Sequence, residues 1–356
     1  MFECQLVTRL PVCSFRTQPS RRSFEGAEQE AMPKRVALVR PQSDAERKTD
    51  RARVGTLKQG RISDPALIRY NAMLSYFFWL LPFVAGAWQK TWEKRDEQVS
   101  AFLEAMWHEG ETRARAGDLL SALQWHYNVK GVLAGSWRIF RTWCKLEPSA
   151  QVPPLPISGL FYICGLAVEQ GIPQLAALAY VAFHCFLRTG EMLALQCSNI
   201  GGCREAPVLV LHETKTSKRH GFTEHIPVED PVAIILLSWL QQRAGNVGPL
   251  WPHSPTVFRQ RWRSLVILAG LPPDQFTPYC LRRGGATFDF TVHSCMDRSL
   301  MRGRWASSQT AKIYIREGEE QLSRIFLSGP QLENAEVYRQ SFLRWIHGIH
   351  QRASLF

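Results

Sequence analysis

The chain has 356 residues, 45% hydrophobic and 21% charged, a globular composition that excludes a wholly disordered or collagen-like polymer and is long enough for about two or three domains. Its formal net charge is +12, and a soluble protein this basic takes a polyanion as partner, nucleic acid ahead of a membrane surface. The excess is local: residues 1–60 carry net +5, residues 255–316 carry net +7, and the rest balances.

Residues 1–58 are rich in Arg, Ser, Gln and Pro, have weak periodicity, and are expected to form a disordered basic arm without a secretory signal. A helical unit follows over 59–150. Ser63-Asp64-Pro65 starts a helix, with a capping residue before a first-turn proline. The apolar run Ala72 to Trp88 is 17 residues with Pro82 inside it. A helix of that length covers ~25 Å against ~30 Å of hydrocarbon, so two short buried helices parted by the proline are expected, not a membrane span. Asp96 to Trp107 places Val99, Phe102, Leu103 and Met106 on one helical face; Gly110-Glu111-Thr112 breaks it, and Thr112 to Tyr127 resumes. Val152-Pro153-Pro154-Leu155-Pro156 is a stiff, extended link to a second unit, 151–356.

That unit opens with apolar helices near 157–170 and 173–187. Pro207 to Leu211 and Phe222 to Val228 read as strands around a basic turn carrying Lys215, Lys218 and Arg219, a β-hairpin. Ala233 to Arg243 is helical. Ser254-Pro255 starts a helix with Arg259, Arg261 and Arg263 on its first turns. The remainder is helical, broken near Gly270–Pro273, Gly303, Gly318 and Gly329-Pro330. In its last segment Leu332, Ala335, Tyr338, Phe342, Trp345 and Ile349 share one face, which packs either on its own unit or on a neighbouring protomer. The fold class is mainly α with a small β-hairpin or sheet.

The cysteines (4, 13, 144, 164, 185, 197, 203, 280 and 295) are nine, scattered and without a CxxC, which excludes a disulfide framework and a zinc ribbon and points to a reducing compartment. His347 and His350 lack the further ligands a metal needs and read as a solvated helix face. No P-loop of the GxxxxGK[ST] type occurs.

Four separated pieces carry chemistry. They are Leu187-Arg188-Thr189-Gly190-Glu191, the turn lysines, Tyr279-Cys280-Leu281-Arg282-Arg283-Gly284-Gly285-Ala286-Thr287, and Arg302-Gly303-Arg304-Trp305, with Tyr314 nine residues after Trp305. Each alone has an ordinary explanation: a solvated helix end, exposed lysines, a surface turn at Arg-Arg-Gly-Gly, and a core tyrosine between Ile313 and Ile315. Together and in this order they resemble the tyrosine recombinase/integrase family. The resemblance covers about 155–320 through motifs, and more loosely 62–147, where that family carries a helical core-binding domain.

The resemblance implies a site-specific recombinase that cuts and rejoins duplex DNA through a covalent 3′-phosphotyrosine, with no metal, no ATP and no cofactor. Tyr314 would be the nucleophile. Arg188 and Arg282 would clamp the phosphate, since guanidinium stays charged and forks onto two oxygens. Lys215 would protonate the 5′ oxygen, with Lys218 the second choice. Trp305 would buttress the site and donate its indole N–H, and Glu191 would orient the Arg188 region. Tyr279 stands where the family has His. It is expected to donate to a phosphate oxygen or accept a proton, as a poorer base with an ordinary pKa of ~10. Arg259, Arg261, Arg263, Lys218, Arg219 and Arg283 are expected on the DNA. The implied assembly is a homo-tetramer on paired sites, intracellular with the DNA (nucleus or nucleoid) and without stable membrane association. Rival readings are a catalytically impaired, domesticated DNA-binding protein, a type IB topoisomerase-like enzyme and a membrane protein spanning 72–88.

Overall fold

A computed structural model describes residues 43–54, 62–148, 151–212, 223–324 and 330–353; Lys215, Lys218 and Arg219 lie outside the described residues. Part of the expected unstructured arm is helical: α1 spans Asp44–Val54. Its start is a reciprocal cap. The Ser43 backbone N–H donates to Glu46 at 2.8 Å and the Glu46 N–H donates to Ser43 Oγ at 3.3 Å.

α2 (Asp64–Val84), α3 (Trp92–His108), α4 (Arg113–His126) and α5 (Ala134–Leu146) share one apolar cluster. The face expected on α3 is the buried one, with Val99, Phe102, Leu103 and Met106 inside. Pro82 does not divide α2 in two. It sits within the last turn, where its missing N–H costs one hydrogen bond and the helix stops two residues later. Among the described residues α2 is the one helix long and apolar enough to cross a membrane. Its Met73, Leu74, Phe77 and Leu81 are buried, with Phe77 edge-on to Phe102 at 4.9 Å.

The larger cluster is built by α6 (Ile157–Glu169), α7 (Pro173–His184), α8 (Thr189–Ala194), α9 (Pro231–Arg243), α10 (Pro255–Leu268), α11 (Cys280–His293) and α15 (Pro330–Ala353). Every residue of α7 from Leu175 to Phe183 is buried, because α6, α9 and α11 all pack on it. α15 lies along α6 and α9 of its own chain. A Cβ on Gly165 of α6 would meet the Tyr338 carbonyl of α15 at 2.0 Å, so only glycine permits this approach.

Among the described residues the sheet has three antiparallel strands, β1 (Ile200–Gly202), β2 (Pro207–Leu211) and β3 (Glu224–Pro227). The expected hairpin is β2–β3, in register Leu209↔Ile226 and Leu211↔Glu224; β1 adds a strand that Ile-Gly-Gly did not announce. Leu209, Leu211 and Ile226 face inward with Glu224, a carboxylate in an apolar position.

α12 (Met296–Gly303), α13 (Ser308–Tyr314) and α14 (Glu317–Arg324) complete the fold. Ser294, in the left-handed region at φ 49°, separates α11 from α12. Gly318 lies inside α14, and the break falls instead at residues 315–316.

Candidate active site

The site rests on a small cluster of its own: Phe186, Ala286, Trp305 and Ala311, with Tyr314 packed against them. α11 is its spine. The Arg-Arg-Gly-Gly stretch is a buried helix, not a surface turn. A Cβ on Gly284 would meet the Leu155 carbonyl at 2.2 Å, and one on Gly285 the Phe183 carbonyl at 1.9 Å. The two glycines therefore let the 152–156 link and α7 reach the helix backbone, and the Leu155 N–H donates to the Cys280 carbonyl at 3.2 Å.

That close approach buries Arg282 completely. Its guanidinium donates to the Phe186 carbonyl and, at 2.7 Å, to the Gly303 carbonyl. Both carbonyls come from tight turns, since Phe186 and Arg304 have φ of 48° and 57°. The Arg282 Nε–H has no partner among the described residues. Burial, then the Arg304 and Arg188 charges, lower the Arg282 pKa to about 10, which still leaves it cationic at neutral pH.

Tyr314 ends α13. Its ring stacks on Trp305 at 4.7 Å between centroids, and the Arg282 guanidinium carbon is 5.2 Å from the centre of each ring. The Tyr279 hydroxyl donates to the Tyr314 hydroxyl at 2.8 Å. Burial pushes the Tyr314 phenol up, but the hydrogen bond from Tyr279 and the charges of Arg282 and Arg188 outweigh it, so the phenol lies below its ordinary pKa. Tyr279 is driven the other way, to about 12, by burial and by its bond to Tyr314. Its proton is given to the Tyr314 oxygen. The Trp305 indole N–H is buried and unpartnered among the described residues.

Arg188 is the residue before α8, not the end of the apolar helix. Its guanidinium pairs with Glu191 Oε1, while Glu191 Oε2 accepts the Arg188 backbone N–H at 2.9 Å. Burial raises the Glu191 pKa, but Arg304 and Arg188 more than reverse this and keep it below the usual carboxylate range.

No family model matches the sequence, and no curated protein matches it. Solved structures do. A lambda integrase dimer bound to a COC′ core site is similar at a TM-score of 0.52 and 17% identity, over 72% of this chain and 73% of that one. The chain has the tyrosine-recombinase fold. A lambda integrase tetramer bound to a Holliday junction is similar at a TM-score of 0.50 and 15% identity, over 72% and 73% of the two chains.

Within this recombinase fold the structure brings together Tyr314, Tyr279, Trp305 and Arg282, with Arg188 near enough to lower the Tyr314 phenol, and Glu191 holding Arg188. Arg259 and Arg263 are exposed on α10, the latter paired with Asp274 at 2.8 Å; Arg261 is half-buried over the Trp251 ring. Arg283 is a correction. It is 2% exposed, with its guanidinium donating to the Val152 carbonyl and, at 2.6 Å, to the Ile313 carbonyl, so it is not on a DNA-facing surface.

Three contributors went unassigned in the sequence. Thr287, one turn after Arg283, accepts the Arg316 N–H at 3.1 Å and donates to the Tyr314 carbonyl at 3.2 Å, so one face of α11 holds the backbone on both sides of the phenol. The i, i+4 spacing of Arg283 and Thr287 was its only signal. Arg304 and Glu224 pair at 2.8 Å across 80 residues of chain; Arg304 lies in the Arg-Gly-Arg-Trp piece, but nothing local announces its partner.

Proposed function

We propose that this chain is a site-specific recombinase that cuts and rejoins duplex DNA through a covalent 3′-phosphotyrosine on Tyr314, independently of metal and ATP. The observation that carries the reading is the convergence on the Tyr314 phenol of the Arg282 guanidinium, the stacked Trp305 ring and the donating Tyr279 hydroxyl.

Each part of the site then has a task. The Tyr314 oxygen attacks phosphorus, its proton passes to water, and the bond from phosphorus to the 5′ oxygen breaks. Arg188 and Arg282 neutralise charge on the non-bridging oxygens. The Arg282 Nε–H and Trp305 indole N–H, unpartnered among the described residues, are ready donors to that phosphate. Tyr279 stabilises the phenolate as it forms. Lys215, or Lys218 as second choice, protonates the departing 5′ oxygen. In support, the last described pair of the β2–β3 ladder is Leu211↔Glu224, and Glu224 is tied to Arg304 at the site. Rejoining is the reverse. The phosphotyrosine keeps the bond energy, so no ATP is consumed, and fixed guanidiniums supply the positive charge that a divalent ion gives other nucleases.

On this reading residues 59–150 clamp the duplex against a catalytic unit, 151–356, and Arg259, Arg261 and Arg263 contact backbone or groove. The chain works with the DNA, in nucleus or nucleoid, as a homo-tetramer on paired sites and without stable membrane association. Support comes from the lambda integrase structures, a dimer bound to a core site and a tetramer bound to a Holliday junction. The test is a duplex nicked near the cleavage point, which traps the covalent complex. An adduct that survives denaturation, forms in chelator and vanishes in Tyr314→Phe is expected. Salt-sensitive DNA binding with no adduct would overturn the enzyme reading in favour of a binding protein.

A further inference from the structure

Arg304 closes α12 with φ 57° and ψ 44°, the left-handed conformation that usually belongs to glycine at a helix C-terminus. A side chain there strains the backbone and persists only where its surroundings require it. Here they do. The Arg304 side chain is 9% exposed and sits between two buried acids, at 2.8 Å from Glu191 Oε2 and 2.8 Å from Glu224 Oε2. It also donates at 3.2 Å to the Phe186 carbonyl, the same oxygen that takes the Arg282 guanidinium.

Glu191 is the hinge of the arrangement. One of its oxygens takes the Arg188 guanidinium; the other takes the Arg188 backbone N–H and Arg304. Were Arg304 absent, Glu191 would have Arg188 as its partner, the cation meant for the phosphate, and Glu224 would be buried with its ion pair gone. The charges make the same point. Arg188, Arg282 and Arg304 against Glu191 and Glu224 leave one net positive charge beside Tyr314; without Arg304 the group is neutral.

We propose that Arg304 is a positioning residue of the cleavage site: it aims Arg188 through Glu191, and by balancing the two buried acids it leaves the Arg188 charge to the scissile phosphate. The inference rests on the reading of Tyr314 and Arg188 as the groups that cleave DNA.

The test uses the full chain and the nicked duplex. Arg304→Gly relieves the backbone, and Glu224→Gln beside it removes the acid left unpaired, so the double variant is built to fold; Glu224→Gln alone is the reference. Single-turnover adduct formation at saturating DNA is followed across pH, together with DNA affinity and thermal midpoint. A misaimed clamp is expected to slow cleavage by roughly 10²-fold with affinity and midpoint close to the reference. The acid limb of the rate profile is expected at higher pH, because Glu191, faced by Arg188 and Arg304, has lost one of the cations that keep it ionised. Arg304→Lys, with one charge but no fork, is expected to recover part of the rate and is the variant to read should the double variant unfold. A folded variant that cleaves at the reference rate with an unmoved profile overturns the role of Arg304. No adduct from the unaltered chain overturns the recombinase reading, and this inference with it.

Discussion

Tyr279 donates its only proton to Tyr314: burial and then this bond push the donor up to about 12, while the same bond, with the Arg282 and Arg188 charges, holds the acceptor below its ordinary value against its own burial. In Tyr279→Phe, burial of the Tyr314 phenol is opposed by the guanidiniums alone. Its pKa is expected to rise, and the ascending limb of the single-turnover cleavage profile, along which the phenol loses its proton, to move to higher pH; an unmoved limb would mean the bond does not reach the nucleophile. Arg188, Arg282, Trp305 and Tyr314 stood out in the sequence because, in fixed order with Lys215 of the hairpin turn, they make a pattern that no single one makes; Tyr279 stood out as the departure from it. Arg283 was misread for a related reason. Adjacent arginines look alike in sequence, and only the helix phase separates the one reaching Phe186 and Gly303 from the one reaching Val152 and Ile313. Glu224 was illegible because alternation in β3 predicts an apolar residue at its place, and the cation that justifies it lies 80 residues on.

At the scale of elements, α11 sets the geometry, through two backbone approaches that glycine alone allows. Gly285→Ala would place a methyl 1.9 Å from the Phe183 carbonyl, and neither backbone can yield cheaply. Overpacking of this kind costs about 1–3 kcal/mol or more, so a clear fall in thermal midpoint is expected. Gly190→Ala, with nothing within 4 Å of the added carbon, is the control and should leave the midpoint nearly unchanged. Long amphipathic helices such as α3 were readable because burial and period coincide over several turns. Short or polar elements were not. β1 has three residues, two of them glycine, and α1 has no apolar stripe, only a cap at Ser43 and Glu46. Pro82 was given too much weight, since a proline so near a helix end breaks little.

For the whole molecule, the excess charge over 255–316 is only partly at the surface. Arg282 and Arg283 are buried and Arg304 is held between Glu191 and Glu224, while Arg259 and Arg263 are exposed on α10. Net charge therefore overstates the surface offered to a polyanion. If Arg259 meets a phosphate, Arg259→Gln should lower the slope of log affinity against log salt by about 1. Arg283→Lys should instead lower thermal stability and leave the slope as it was. Equal slopes for Arg259→Gln and the unaltered chain would remove α10 from the interface.

The most direct measurement concerns where the DNA becomes attached. The chain is incubated with a nicked duplex, the denatured adduct is digested, and the nucleotide-bearing peptide is sequenced by mass spectrometry. Attachment through the Tyr314 oxygen is the expected result. A nucleotide found on Tyr279 or on any other side chain, or no adduct from a chain that binds the duplex, would contradict a site in which Arg282 and Arg188 activate that one phenol.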